Sequence, residues 1–245
     1  MKVFTATSAL LVLLLGANFA HASLVFQGVA TGTGAGIGTS NVVLTIQNTP
    51  SESGCVGWNG TADVVGSPAC QGGLSPFIVG GNEKVGSSQT QTRTVTQAGV
   101  LSGSSLVVIL FVNEPAGTLF TVENLSLTIY GPTGTILFNS GNLTGAGIPP
   151  GGGVTINSSL QGQGNLGFGF LLDATQAATI SPFVCTNAAI PGCAGIANAS
   201  NGNNRIGLSA VIANSSGSNE IFSVADTANV SLAPIKKTRA QTSGE

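Results

Sequence analysis

Leu106 to Val112 reads LVVILFV, seven apolar residues without a polar break. The run is too short for a buried helix, and Val107, Val108, Ile109 and Val112 are β-branched, which favours extended backbone. An uninterrupted apolar strand must be covered on both faces, so this one segment demands a layered β-protein. A second segment extends the requirement. In LSLTIYGPTGTILF, Leu125 to Phe138, the side chains of Leu125, Leu127 and Ile129 alternate with Ser126 and Thr128, and Pro132 and Gly134 supply turn chemistry. It predicts a hairpin whose apolar face joins the same core as LVVILFV.

Similar short runs recur from Leu24–Ala30 to Asn229–Leu232, among them Phe77–Val79, Gln89–Gln97, Leu119–Val122, Leu166–Leu172, Arg205–Ala213 and Glu220–Val224. Regular turn signals between them predict an all-β fold, a β-sandwich of jelly-roll or Ig-like type. One short helix is expected near 174–180, with Asp173 as its cap, Gln176 completing a capping box, and Ser181-Pro182 ending it. Gly32 to Thr39, GTGAGIGT, has neither the spacing of a dinucleotide loop nor that of a P-loop, and reads as a turn-rich connection.

The first residues have the order of a secretory leader. Met1-Lys2 is followed by an apolar run from Val3 to Gly16, and Ala20-His21-Ala22 places small residues where a signal peptidase reads them. The run is well short of the roughly 20 residues that span a bilayer, so no transmembrane anchor is expected. Residues 1–22 are therefore expected to be removed, leaving a single β-sandwich domain over 23–235 and a disordered basic tail over 236–245. His21 is the only histidine in the chain, and on this reading it leaves with the leader.

That loss narrows the chemistry. Without histidine there is no Ser-His-Asp or Cys-His device and no His-ligated zinc. Carboxylates remain, as in glycoside hydrolysis. Up to Ile235 they are Glu52, Asp63, Glu83, Glu114, Glu123, Asp173, Glu220 and Asp226, and scattered carboxylates are usually solvated surface. Catalytic residues, cofactors and metal are accordingly expected to be absent. The run NASNGNNR, Asn198 to Arg205, gathers amide oxygens but no carboxylate, so it too reads as a turn rather than a calcium loop.

Only 7% of residues are charged, and between Ser23 and Ile235 three basic residues face eight acidic ones. A chain without a basic face is not expected to bind nucleic acid. Lys236, Lys237 and Arg239 place a local positive charge in the tail, able to meet acidic glycans or another copy of the chain. Cys55 and Cys70 are separated by 14 residues and Cys185 and Cys193 by 7, with no CxxC spacing. In an exported chain an even number of cysteines reads as disulfides, of which three connectivities are possible. The local pairs, Cys55 with Cys70 and Cys185 with Cys193, are favoured because each brackets a Gly/Pro/Asn-rich loop. Trp58 and Tyr130, the only tryptophan and tyrosine, are the candidates for stacking on a sugar; in Thr90–Gln97, four alternating threonines would line one face of a strand.

NRIGLSAVIANSSGSNEIFSV, Asn204 to Val224, and LGFGFLLDATQAATI, Leu166 to Ile180, resemble segments of secreted bacterial β-sandwich proteins, many of them surface or matrix proteins ending in a Pro-Glu-Pro sorting tail. The resemblance spans Leu106 to Val224. The chain lacks Pro-Glu-Pro and has no membrane-crossing apolar run after Asn229. The resemblance implies an exported structural or adhesive protein of the cell surface or matrix, without catalytic residues. A carbohydrate-binding module is the alternative reading, and a carboxylate-based glycosidase a third. Protein recovered from a secreting host should begin at Ser23, as intact mass would show; a retained His21 would contradict the leader.

Overall fold

The computed structural model describes residues 24–32, 41–66, 81–86, 89–115, 117–143, 153–158, 166–216 and 218–234. Within them the strands are β1 (Leu24–Gly32), β2 (Asn41–Ile46), β3 (Ser51–Trp58), β4 (Asp63–Val65), β5 (Arg93–Thr94), β6 (Leu106–Phe111), β7 (Leu119–Tyr130), β8 (Ile136–Asn139), β9 (Val154–Asn157), β10 (Leu166–Leu172), β11 (Arg205–Ala213), β12 (Glu220–Asp226) and β13 (Val230–Ala233). The helices are α1 (Val95–Ala98) and α2 (Ala174–Val184). The strands form two antiparallel sheets, as an all-β sandwich requires. The six-stranded sheet runs β13-β1-β10-β6-β12-β2. The seven-stranded sheet runs β4-β3-β11-β7-β8, with β5 beside β11 and β9 beside β7.

The β6 run behaves as its composition requires. Leu106, Val108 and Leu110 enter the main core, while Val107 and Ile109 turn to the opposite face and cluster with Ala30. The main core takes one inward row from each sheet: Phe168, Phe170, Phe222 and Val224 from the first, and Phe120, Leu125, Leu127, Ile129, Ile206 and Leu208 from the second. Phe120 and Phe168 meet edge to face between the sheets, with ring centroids 6.0 Å apart, a favoured aromatic geometry.

Several sequence expectations are corrected. Leu119–Val122 and Leu125–Tyr130 are one strand, because pairing with β11 skips Glu123 and shifts register there. That bulge moves the inward row from Phe120 and Val122 to Leu125, Leu127 and Ile129, which explains why the alternation changes phase. Gln89–Gln97 is not a strand along its length. Thr94 Oγ1 accepts from the Gln97 amide at 3.1 Å and Gln97 Oε1 from the Thr94 amide at 2.9 Å, a capping box that starts α1. Local side-chain bonds outcompete threonine's preference for strands. Thr90 and Thr92 are buried, so no hydroxyl ladder lines an open face. Phe77–Val79, the Gly32–Thr39 connection except its first residue, the leader and the basic tail lie outside the described residues.

Helix α2 forms where the sequence places it but runs through Pro182 to Val184. Asp173 Oδ1 accepts from the amides of Thr175 and Gln176 at 2.8 and 2.9 Å. The expected capping box does not close, because Gln176 Nε2 donates instead to the Ser140 carbonyl at 2.8 Å. Buried Ile180 and Val184 anchor the last turns, and their packing outweighs the local bias against helix before proline. Asn201 Nδ2 donates to the carbonyls of Pro182 and Cys185, and Asn204 Nδ2 to that of Phe183. The asparagine-rich NASNGNNR run therefore serves the open end of α2.

No helix among the described residues is long and apolar enough to cross a membrane. Gly103 seats α2 against the sandwich: a Cβ there would lie 2.1 Å from the Ala177 carbonyl oxygen and 2.4 Å from Ile180 Cγ2. Replacing Gly103 with Ala should displace the helix and destabilise the chain by about 1–3 kcal/mol, measured as a lower urea midpoint with the same slope.

Candidate functional site

The two ends of β11 carry different chemistry. At its start, Arg205 stacks over Trp58 with the guanidinium carbon 3.8 Å from the ring centroid. Trp58 is half-buried, and its Nε1 donates to the Pro132 carbonyl at 2.9 Å. Arg205 Nη1 donates to Thr92 Oγ1 at 3.0 Å, and that hydroxyl donates to Asp63 Oδ1. The stack fixes the indole and covers one of its faces. Tyr130 pairs with Arg205 across β7 and β11 but is only 2% exposed, and burial pushes its phenol above the usual range. Trp58 and Tyr130 therefore lie at the same end of the sheet without forming a shared exposed platform.

Cys185 and Cys193 form a disulfide with their Cα atoms 5.5 Å apart, as the local pairing predicts. It clasps the turn that leaves α2. Cys55, wholly buried on β3, is also disulfide-bonded; Cys70, the partner the sequence assigns to it, lies outside the described residues.

The opposite end of the sandwich holds the arrangement that the sequence reading does not anticipate. Carboxylate oxygens of Glu52, Glu114 and Glu220 lie within 4.8 Å of one another. Glu52 is on β3 in the seven-stranded sheet and pairs with Ile212; Glu220 opens β12 in the six-stranded sheet and pairs with Ile46. Each belongs to an inward row. Glu220 alternates with the core residues Phe222 and Val224, and Glu52 is four residues before core Val56. Glu114 follows β6 and reaches the same place from the segment before Pro115.

The loop that closes this end is tied down. Asn214 turns the chain out of β11 at φ 62°, in the left-handed region that asparagine tolerates better than most residues. Ser215 then donates from its amide to the Pro50 carbonyl and from its hydroxyl to the Asn48 carbonyl. The Ser216 amide donates to Glu114 Oε1 at 2.7 Å.

Glu52 and Glu220 are both 0% exposed, and Glu114 is 9% exposed. Neither oxygen of Glu52 or Glu220 has a hydrogen-bond partner of good geometry, nor does Glu114 Oε2. Other acidic side chains are used differently. Glu83 accepts from the amides of Cys55 and Gly81, Asp173 caps α2, and Asp226 accepts from the Leu101 and Ala228 amides and the Ser105 hydroxyl. Those carboxylates finish turns and strand ends; in the trio only Glu114 Oε1 does so, through the Ser216 amide.

Burial pushes both Glu52 and Glu220 upward from the ordinary carboxylate range. The Glu52 carboxyl raises Glu220 further, and Glu114 adds repulsion to both. Proximity to Glu220, the Asn48 backbone and Ser215 offsets part of the rise at Glu52 without supplying an aligned donor. Such a cluster is able to share protons or surround a cation. Its oxygens lie within 4.8 Å of one another, inside the about 5 Å of a retaining glycosidase pair, yet two of its members have no surface for a sugar to approach.

No protein-family model, curated protein or solved structure matched the chain.

The sequence names all three glutamates but assigns them to solvated surface. Two signals bear on that assignment: Glu220-x-Phe222-x-Val224 puts a carboxylate on an apolar row, and the Glu52-x-Gly54-x-Val56 spacing does the same once β3 is recognised. An acid whose pKa rises on folding supports the fold fully below its unfolded value, about 4.3, and loses that support as pH climbs toward the raised value. In chelator, where only protons neutralise the trio, the melting temperature should fall as pH rises from about 4.5 to 8. Glu220→Gln, which does not ionise, should flatten that fall.

Proposed function

We propose that the chain is an exported, non-catalytic β-sandwich with a structural or adhesive role at a bacterial cell surface or in its matrix. The observation that carries this reading is the disulfide clasp between Cys185 and Cys193 on a two-sheet sandwich. Disulfides persist in oxidising compartments outside the cytoplasm. The leader-like first residues and a composition only 7% charged support the same compartment, as does the resemblance of Asn204–Val224 to secreted surface proteins. Acidic glycans or further copies of the chain are the partners that the Lys236, Lys237 and Arg239 tail favours.

A carbohydrate-binding role ranks second and rests on Trp58. The indole is held rigidly by Pro132 and Arg205, which suits a stacking contact, but with one face covered and Tyr130 buried the platform is a single half-ring surface. The two readings separate in one comparison. Full-length protein and a chain lacking Pro234 to Glu245 are assayed for retention on the producing cells across a salt series, beside a glycan array. Surface retention that salt or truncation weakens, with no glycan signal sensitive to Trp58→Ala, is the expected result. Cytoplasmic accumulation would overturn the proposal, and a Trp58-dependent glycan signal would replace it with the second reading.

A further inference from the structure

We propose that Glu52, Glu114 and Glu220 form a calcium-binding site that ties the two sheets together at this end of the sandwich. The site stands apart from the surface role, since it lies inside the fold.

The donor set selects the ion. All three side chains offer oxygen only, the preference of hard cations, whereas zinc and copper sites draw on nitrogen or sulfur. Five carboxylate oxygens, both of Glu52, both of Glu220 and Oε2 of Glu114, are buried without a hydrogen-bond partner. Calcium takes about six to eight oxygens at about 2.3–2.6 Å, so ligands on opposite sides of the ion are about 5 Å apart. The trio's oxygens, all within 4.8 Å of one another, fit inside that shell. Magnesium holds its ligands closer and keeps several waters, which wholly buried Glu52 and Glu220 do not accommodate readily.

The unpartnered oxygens are the decisive feature. A buried carboxylate with neither donor nor cation is strongly unfavourable; Glu114 repels both Glu52 and Glu220, and Glu52 repels Glu220. An acidic cluster that merely stabilised the fold would draw amides as Glu83 and Asp226 do. Here the one well-aligned amide, that of Ser216, donates to Glu114 Oε1 and leaves Glu114 Oε2 without a partner. The ligands also come from separate structural units. Glu52 belongs to one sheet, Glu220 to the other, and Glu114 to the segment after β6. An ion held by all three would join β3 of one sheet to the neighbouring β6 and β12 of the other.

The test uses the full chain, stripped with chelator and titrated with calcium chloride or magnesium chloride. Calorimetry and native mass spectrometry should find one calcium per chain, with a Kd of about 0.1–1 mM as in extracellular modules. At a hundredfold excess over Kd the melting temperature should rise by about 5–10 °C. The double variant Glu52→Gln/Glu220→Gln preserves shape and removes charge. It should melt no lower than the native sequence in chelator and lose the calcium response. Should it fail to fold, Glu114→Gln reports in its place, because this side chain is the least buried of the trio, and it should weaken calcium binding at least tenfold. An unchanged melting temperature with no bound ion would overturn the proposal and leave a proton-sharing cluster. Equal responses to magnesium and calcium would overturn the choice of ion, and an undiminished calcium response in the folded variants would move the ion elsewhere.

Discussion

Two sheets share one apolar interior, and strands such as β6, β7, β10 and β12 face it with alternate residues. Phe120, Phe168, Phe170 and Phe222 are among its largest fully buried side chains, and the contact of Phe120 with Phe168 joins β7 to β10 directly. The rest of the architecture depends on those two rows staying in phase. Where the phase fails, at Glu123, a bulge restores it within one strand. Where a helix must lie close, at α2, Gly103 removes the side chain that would hold it away.

The same constraint makes the acidic trio informative. A glutamate on an inward row breaks the binary pattern of its strand, and burying the charge is expensive unless something compensates. Here the pattern breaks on β3 and on β12, at the same end of the sandwich and within reach of a third carboxyl from the segment after β6. Local pattern breaks of this kind mark functional positions more often than errors. A cation is the simplest group that satisfies all three residues at once, and its effect would be mechanical as well as electrostatic, since the ligands belong to different sheets.

The opposite end of β11 is built on another principle. Arg205 is one of the few cations in the body of the chain, and its placement over Trp58 and against Thr92 uses both its planar face and its edge. A disulfide and asparagine amides then fasten the turn beyond α2, where regular backbone pairing runs out. Stabilisation at the sandwich ends thus comes from specific polar and covalent contacts, while its middle rests on apolar packing.

Much of the architecture was legible in short-range patterns. LVVILFV required a strand covered twice, the Leu125–Phe138 alternation required a hairpin, and Asp173 marked a helix start, because each depends on neighbouring residues alone. The local cysteine spacing led to Cys185–Cys193 for the same reason. β3 escaped because SESGCVGW has two glycines and a charge where a strand usually has β-branched residues, and its place was decided by pairing with β11, far away in sequence. The threonine run failed as a strand because a capping box between Thr94 and Gln97 was the stronger local contact. The convergence of Glu52, Glu114 and Glu220 was beyond any local pattern. They are separated by more than 60 and 100 residues in the chain, and only the pairing of β3 in one sheet and β12 in the other brings their carboxyls together. Sequence by itself determined the layers and their alternation, since those follow from backbone geometry and hydrophobic period; tertiary structure alone decided which charges meet, because electrostatics acts through distance in space.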